Sequence, residues 1–179
     1  MGGTSLILTM VSRINVEDMR LQEIAIEYMG ISDRVRDVIR IPRPLRLVAA
    51  ELVYSILRLR GIFELKLKAA RELGFEPSKI MLFEYSYHVL GRVVDLVLTS
   101  YSVGVFALNV SVGLRLIERL LGEYKDDPLI LTDLEGIAQL LRKSIDECSN
   151  YTSIPPRKLI DYYADKIEEE ITSGLGMSL

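Results

Sequence analysis

A chain of 179 residues is the size of one domain, and its 28 Leu, 18 Ile and 14 Val supply enough apolar surface for a core, which excludes an intrinsically disordered protein. A formal net charge of -3 excludes a globally basic protein. One Cys (Cys148) and one His (His88) exclude an internal disulfide and a zinc site of the Cys/His type.

Nothing divides the chain, so residues 1–179 read as a single, mainly α-helical domain, a compact bundle of about six helices. Residues 1–14 read as an N-terminal arm or a short strand. They have no positive n-region or cleavage pattern, and Leu6 stands where myristoylation needs Ser or Thr, so a cytoplasmic location is expected, or a virion if the source is viral. From Asn15, a cap residue, Val16, Met19, Ile24 and Tyr28 space a helix that Gly30 ends. Ser32 caps a second short helix, Asp33 to Ile41, closed by Pro42 and Pro44. Leu45, Val48, Leu52, Ile56 and Leu59 then recur every three or four residues and predict an amphipathic helix to Arg60. Gly61 either breaks or bends it, and Ile62, Leu65, Ala69 and Leu73 carry helical spacing on to Gly74. Ser78 is the expected cap of the next element.

Residues 79–124 read two ways. Ile80, Phe83, Tyr87, Leu90 and Val94 make a helical face, while the alternations Phe83, Tyr85, Tyr87, Val89 and Val110, Val112, Leu114, Leu116 suit strands, so a small β element, and with it an α+β fold, is the alternative. The helical reading is preferred because the neighbours are helical and no Asn-Gly or Asp-Gly hairpin turn occurs. Beyond it, Thr132-x-x-Glu135 has the form of a capping box, and Pro155-Pro156 opens a last helix to Thr172, stopped by Gly174, with Leu159, Tyr162, Tyr163, Ile167 and Ile171 as its apolar face. Glu168, Glu169 and Glu170 crowd its last turn, where the helix dipole disfavours them, which suggests a charged partner or a solvated tail.

Charge is distributed unevenly along the chain. Residues 33–71 hold 10 basic and 4 acidic side chains, and residues 123–179 hold 6 and 12. Arg34, Arg36, Arg40, Arg43 and Arg46, with Arg58, Arg60, Lys66 and Lys68, form the candidate nucleic-acid-binding set, because arginine forks grip phosphate, and Arg71 extends the basic stretch beyond it. The competing reading is an ion-paired surface facing the acidic last third. Leu96 to Leu114 is an uncharged run of 19 residues, just long enough to span a bilayer, but Asn109 and its hydroxyl residues favour a buried core element. Glu84, His88, Arg92 and Asp95 lie three or four residues apart, so on a helix they form one stripe, read first as salt-bridged and otherwise as a general base oriented by Glu84. The phosphate-binding, dinucleotide, nucleophile-elbow and zinc-protease signatures are all missing, and no cofactor or metal ligand set is expected.

The composition, poor in Asn, Gln and Cys with Arg above Lys, suits a thermophile, and an archaeal or archaeal-virus source is expected. The expected function is a non-enzymatic subunit of an oligomeric or nucleoprotein assembly that lays its Arg-rich stretch along DNA or RNA. The alternatives are an adaptor or homo-oligomer pairing the basic quarter with the acidic last third, and a small hydrolase or nuclease using His88 with carboxylates.

Overall fold

A computed structural model describes residues 41–176. The predicted arm 1–14 and the helices predicted over 16–29 and 33–41 lie wholly or almost wholly outside these residues. Five helices follow one another: α1 Arg43–Leu73, α2 Pro77–Leu98, α3 Val103–Glu123, α4 Pro128–Cys148 and α5 Arg157–Gly174. They hold 83% of the described residues, and no strand occurs among them.

Helix α1 begins between two prolines, with Pro44 in the first turn, where a missing N–H costs nothing. It does not stop at Gly61. Leu59, Phe63, Leu67 and Ala70 stay on the core-facing side across the glycine, and their burial outweighs glycine's poor helix propensity. The stop comes at Gly74, whose φ of 67° is left-handed, and there the Phe75 N–H donates to the Ala70 carbonyl at 2.9 Å.

Two expected starts are corrected. Ser78 does not cap α2: Pro77 takes the first helical position and leaves Ser78 inside the helix. The Thr132–Glu135 box does not open α4 either. Asp127 does, accepting from the Ile130 N–H at 3.3 Å with Pro128 behind it, while the Thr132 hydroxyl donates to the Pro128 carbonyl at 2.7 Å from within the helix. The small β element and the α+β alternative are corrected as well, because 79–124 is two helices. Its β-branched residues bury at helical spacing, Val89, Val93 and Val97 on α2 and Val110 and Ile117 on α3. The last helix forms as expected after Pro155-Pro156, although it includes Gly174, and the left-handed glycine beyond it is Gly176.

The uncharged run is not one helix. Thr99 to Ser102 turns the chain between α2 and α3, and Asn109 reaches back to lock the turn, donating to the Leu96 carbonyl at 2.7 Å and to Ser100 Oγ at 3.0 Å. Among the described residues no helix is long and apolar enough to cross a membrane.

Helices α1 to α4 each pack on the next, and α4 packs back on α1, closing a four-helix ring; α5 lies against α3 and α2. Phe63 sits inside the ring with its centroid 6.0 Å from Phe83 and 5.5 Å from Tyr124. Tyr124 lies just before Asp127, so α4 starts level with the Phe63 turn of α1 and runs back toward the start of α1.

Candidate functional site

Of the predicted phosphate-binding set, Arg34, Arg36 and Arg40 lie outside the described residues, and the other six are on α1. At 100° per residue, Arg58 and Arg60 point about 200° apart, and Lys66 and Lys68 diverge by about the same angle. The six therefore wrap the helix. Arg46 donates to the Ile41 carbonyl at 2.7 Å, and Arg60 lies 3.8 Å over the Tyr87 ring while donating to the Tyr87 carbonyl. Arg43, Arg58 and Lys68 are exposed and Lys66 is half-buried.

The acidic last helix answers to other arginines. Arg119 reaches Asp165 and Glu168, each at 2.8 Å, Arg115 reaches Asp161 at 2.8 Å, and Arg92 reaches Glu170 at 2.7 Å. Two of the three crowded glutamates, Glu168 and Glu170, thus find charged partners on α3 and α2 of the same chain. Partial burial, together with Glu168 beside its hydroxyl, also raises the Tyr85 pKa well above the usual phenol value. The face buried by α5 is Ala164, Ile167 and Ile171, while Leu159, Tyr162 and Tyr163 of the expected apolar face are exposed.

The Glu84–His88 pair is not assembled. Glu84 pairs with Arg71 of α1, and His88 is exposed, with its ring edge-on to Tyr87 at 5.6 Å. No group of three or more His, Cys, Asp or Glu that could hold a metal occurs among the described residues.

The arrangement with the strongest chemical character lies where α1 passes α4. Glu51, Tyr54, Ser55 and Arg58 of α1 face Thr132, Asp133, Gly136, Gln139 and Lys143 of α4 across a groove of about 440 Å³ floored by Leu59, Ile137 and Leu140. Glu51, Arg58, Asp133 and Lys143 are two charges of each sign, and none of the four is in a salt bridge among the described residues. Alongside runs an outward apolar stripe. Leu47, Tyr54 and Gly61 are seven residues apart, and Leu65 follows, so all four fall within about 40° of one another. Leu47 is 41% exposed, Tyr54 49% and Leu65 71%. Leu129, on the groove face of α4 at the end nearest Leu65, is 81% exposed.

Sequence reasoning passed over the α4 half of this surface. Its signal was present as a second face, Leu129, Asp133, Gly136, Leu140 and Lys143, at spacings of three and four, beside the core face Leu134, Ile137 and Leu141. The chain matches no protein family, no curated protein and no solved structure. Its functional reading therefore rests on these residues.

Proposed function

We propose that the protein is a non-enzymatic subunit of a homo-oligomeric assembly that associates through the α1/α4 face. The observation that carries the reading is a groove holding charges of both signs that have no salt bridge among the described residues, with large exposed apolar side chains beside it. A polyanion would meet Glu51 and Asp133 as well as Arg58 and Lys143 there, and repulsion would cancel attraction. A protein surface can satisfy both signs while covering Leu47, Tyr54, Leu65 and Leu129, which fits the mixed composition of protein interfaces. Engagement of Glu84 by Arg71 supports the non-enzymatic part of the reading.

Light scattering coupled to gel filtration tests it. The purified chain should elute as a discrete oligomer whose mass is unchanged by mixed short DNA and RNA at low or high salt. Co-elution with nucleic acid that salt disperses would instead make the Arg34–Lys68 stretch the working surface. A monomer indifferent to nucleic acid in every condition would remove both readings. A high-temperature source belongs to the same proposal and is supported by the shared Arg–carboxylate network of α3 and α5. Thermal unfolding within the mesophile range of about 45–65 °C would end it.

A further inference from the structure

We propose that the occupant of the α1/α4 groove is a second copy of the chain, with the two α1 helices antiparallel about a two-fold axis between Tyr54 and Ser55. This rests on the assembly reading above and adds the partner, the register and the contacts. A closed dimer needs a self-complementary patch, because each residue meets the image of another residue of the same patch. In an antiparallel helix pair related by a two-fold, like flanks meet. Glu51 and Arg58 lie on the same flank of α1, one heptad apart, equidistant from the midpoint between Tyr54 and Ser55. The axis therefore sets Glu51 of each copy against Arg58 of the other, giving two reciprocal ion pairs from side chains that have no salt bridge among the described residues. The same axis brings the two Tyr54 rings together at its centre.

The apolar stripe follows this register. Leu47 comes opposite the Gly61–Ile62 turn, where a Cβ added to Gly61 would meet no atom within 4 Å, so the helix surface there is notched and open. Leu65 comes opposite Pro44, another exposed residue of α1. On α4, Asp133 and Lys143 flank the groove with opposite charges, so a partner presenting the same face brings both signs to each. An acidic or basic partner of one sign would leave half of these charges unmatched.

Charge reversal within the full chain tests the register by concentration-dependent light scattering. Glu51→Arg and Arg58→Glu each place like charges across the axis, and each should weaken dimerisation by at least about tenfold. The double variant exchanges the pair and should return to within about threefold of the native chain. Glu51 and Arg58 both lie on exposed helix surface, and far-ultraviolet circular dichroism verifies folding of each variant. Leu65→Arg separates face from register. If Leu65→Arg gives monomers while neither charge reversal has an effect, the register proposed here is wrong. If none of the variants changes the native oligomer, the groove is not the interface: the two-fold register and the α1/α4 face of the assembly reading both fall, and the oligomer is built on another surface. A native chain that is monomeric at every concentration overturns both.

Discussion

Ser86 is fully buried, and its hydroxyl has two bonds, donating to the Leu82 carbonyl at 2.8 Å and accepting from the Tyr124 hydroxyl at 2.6 Å. The direction follows from Ser86 having a single proton. Tyr124→Phe removes a donor but leaves Ser86 bonded, so it should cost about 1 kcal/mol in urea unfolding. Ser86→Ala strands the buried phenol and should cost more, about 1–3 kcal/mol, and a reversed order would contradict this assignment. Cys148 is also buried, and desolvation raises its pKa from 9.0 to about 11. Because the folded state holds the proton more tightly than the unfolded chain, this stabilising contribution is complete below pH 9 and is lost as pH rises toward 11. The urea midpoint of the native chain, measured relative to Cys148→Ala, should fall across that interval and be flat below it. Both buried groups were visible in the sequence only as residue types. The partner of Ser86 comes from outside its own helix, since Tyr124 at the end of α3 is the donor that ties α3 to α2.

At the scale of the element, two glycines show how tertiary packing sets the sign of one substitution. Gly61 has open space where a side chain would go, so Gly61→Ala should stabilise α1 by about 0.5–1 kcal/mol, the ordinary helix-propensity gain. The Arg58→Glu background keeps association out of that measurement. At Gly113, the added Cβ would lie 3.0 Å from Val93 Cγ1 and 3.4 Å from Leu141 Cδ2. A valine in a helix has one strongly preferred rotamer and cannot turn away. Gly113→Ala should therefore lose about 1 kcal/mol or more despite the same propensity gain, read from the denaturation midpoint. The elements themselves were largely legible. Periodicity gave the bodies of α1, α4 and α5, since a core-facing stripe has to repeat every three or four residues. Starts were less legible, because Ser78 and Thr132 are good caps in isolation but lie after Pro77 and after Asp127-Pro128, which begin the helix earlier.

Over the whole molecule, α5 is held to the four-helix ring by burial of Ala164, Ile167 and Ile171 and by arginines that share carboxylates, with Arg119 reaching Asp161, Asp165 and Glu168. Each pair is partly exposed and worth little singly, so the network matters through its shared centre. Arg119→Leu takes the cation from Asp165 and Glu168 while Asp161 keeps Arg115, and should lower stability by about 1–2 kcal/mol, more at low than at high salt. Amide exchange should quicken in α5 while α1 and α4 keep their protection. Uniform acceleration in all five helices would show instead that α5 is not a separately opening unit.

The sequence by itself determined a mainly helical fold, the apolar stripes and the uneven charge, because hydrophobic spacing and composition act locally along the chain. It also determined that 96–114 carries polar side chains unsuited to a lipid-facing span, which Asn109 then uses to close a turn. Which charges meet was decided only by tertiary structure. A helix turns about 100° per residue, so basic residues adjacent in sequence scatter around α1, while carboxylates more than 40 residues from Arg115 and Arg119 arrive beside them when α5 docks. The α1/α4 groove has the same origin: its four charges come from two helices whose chain separation is spanned by α2 and α3, and only closure of the ring brings them together.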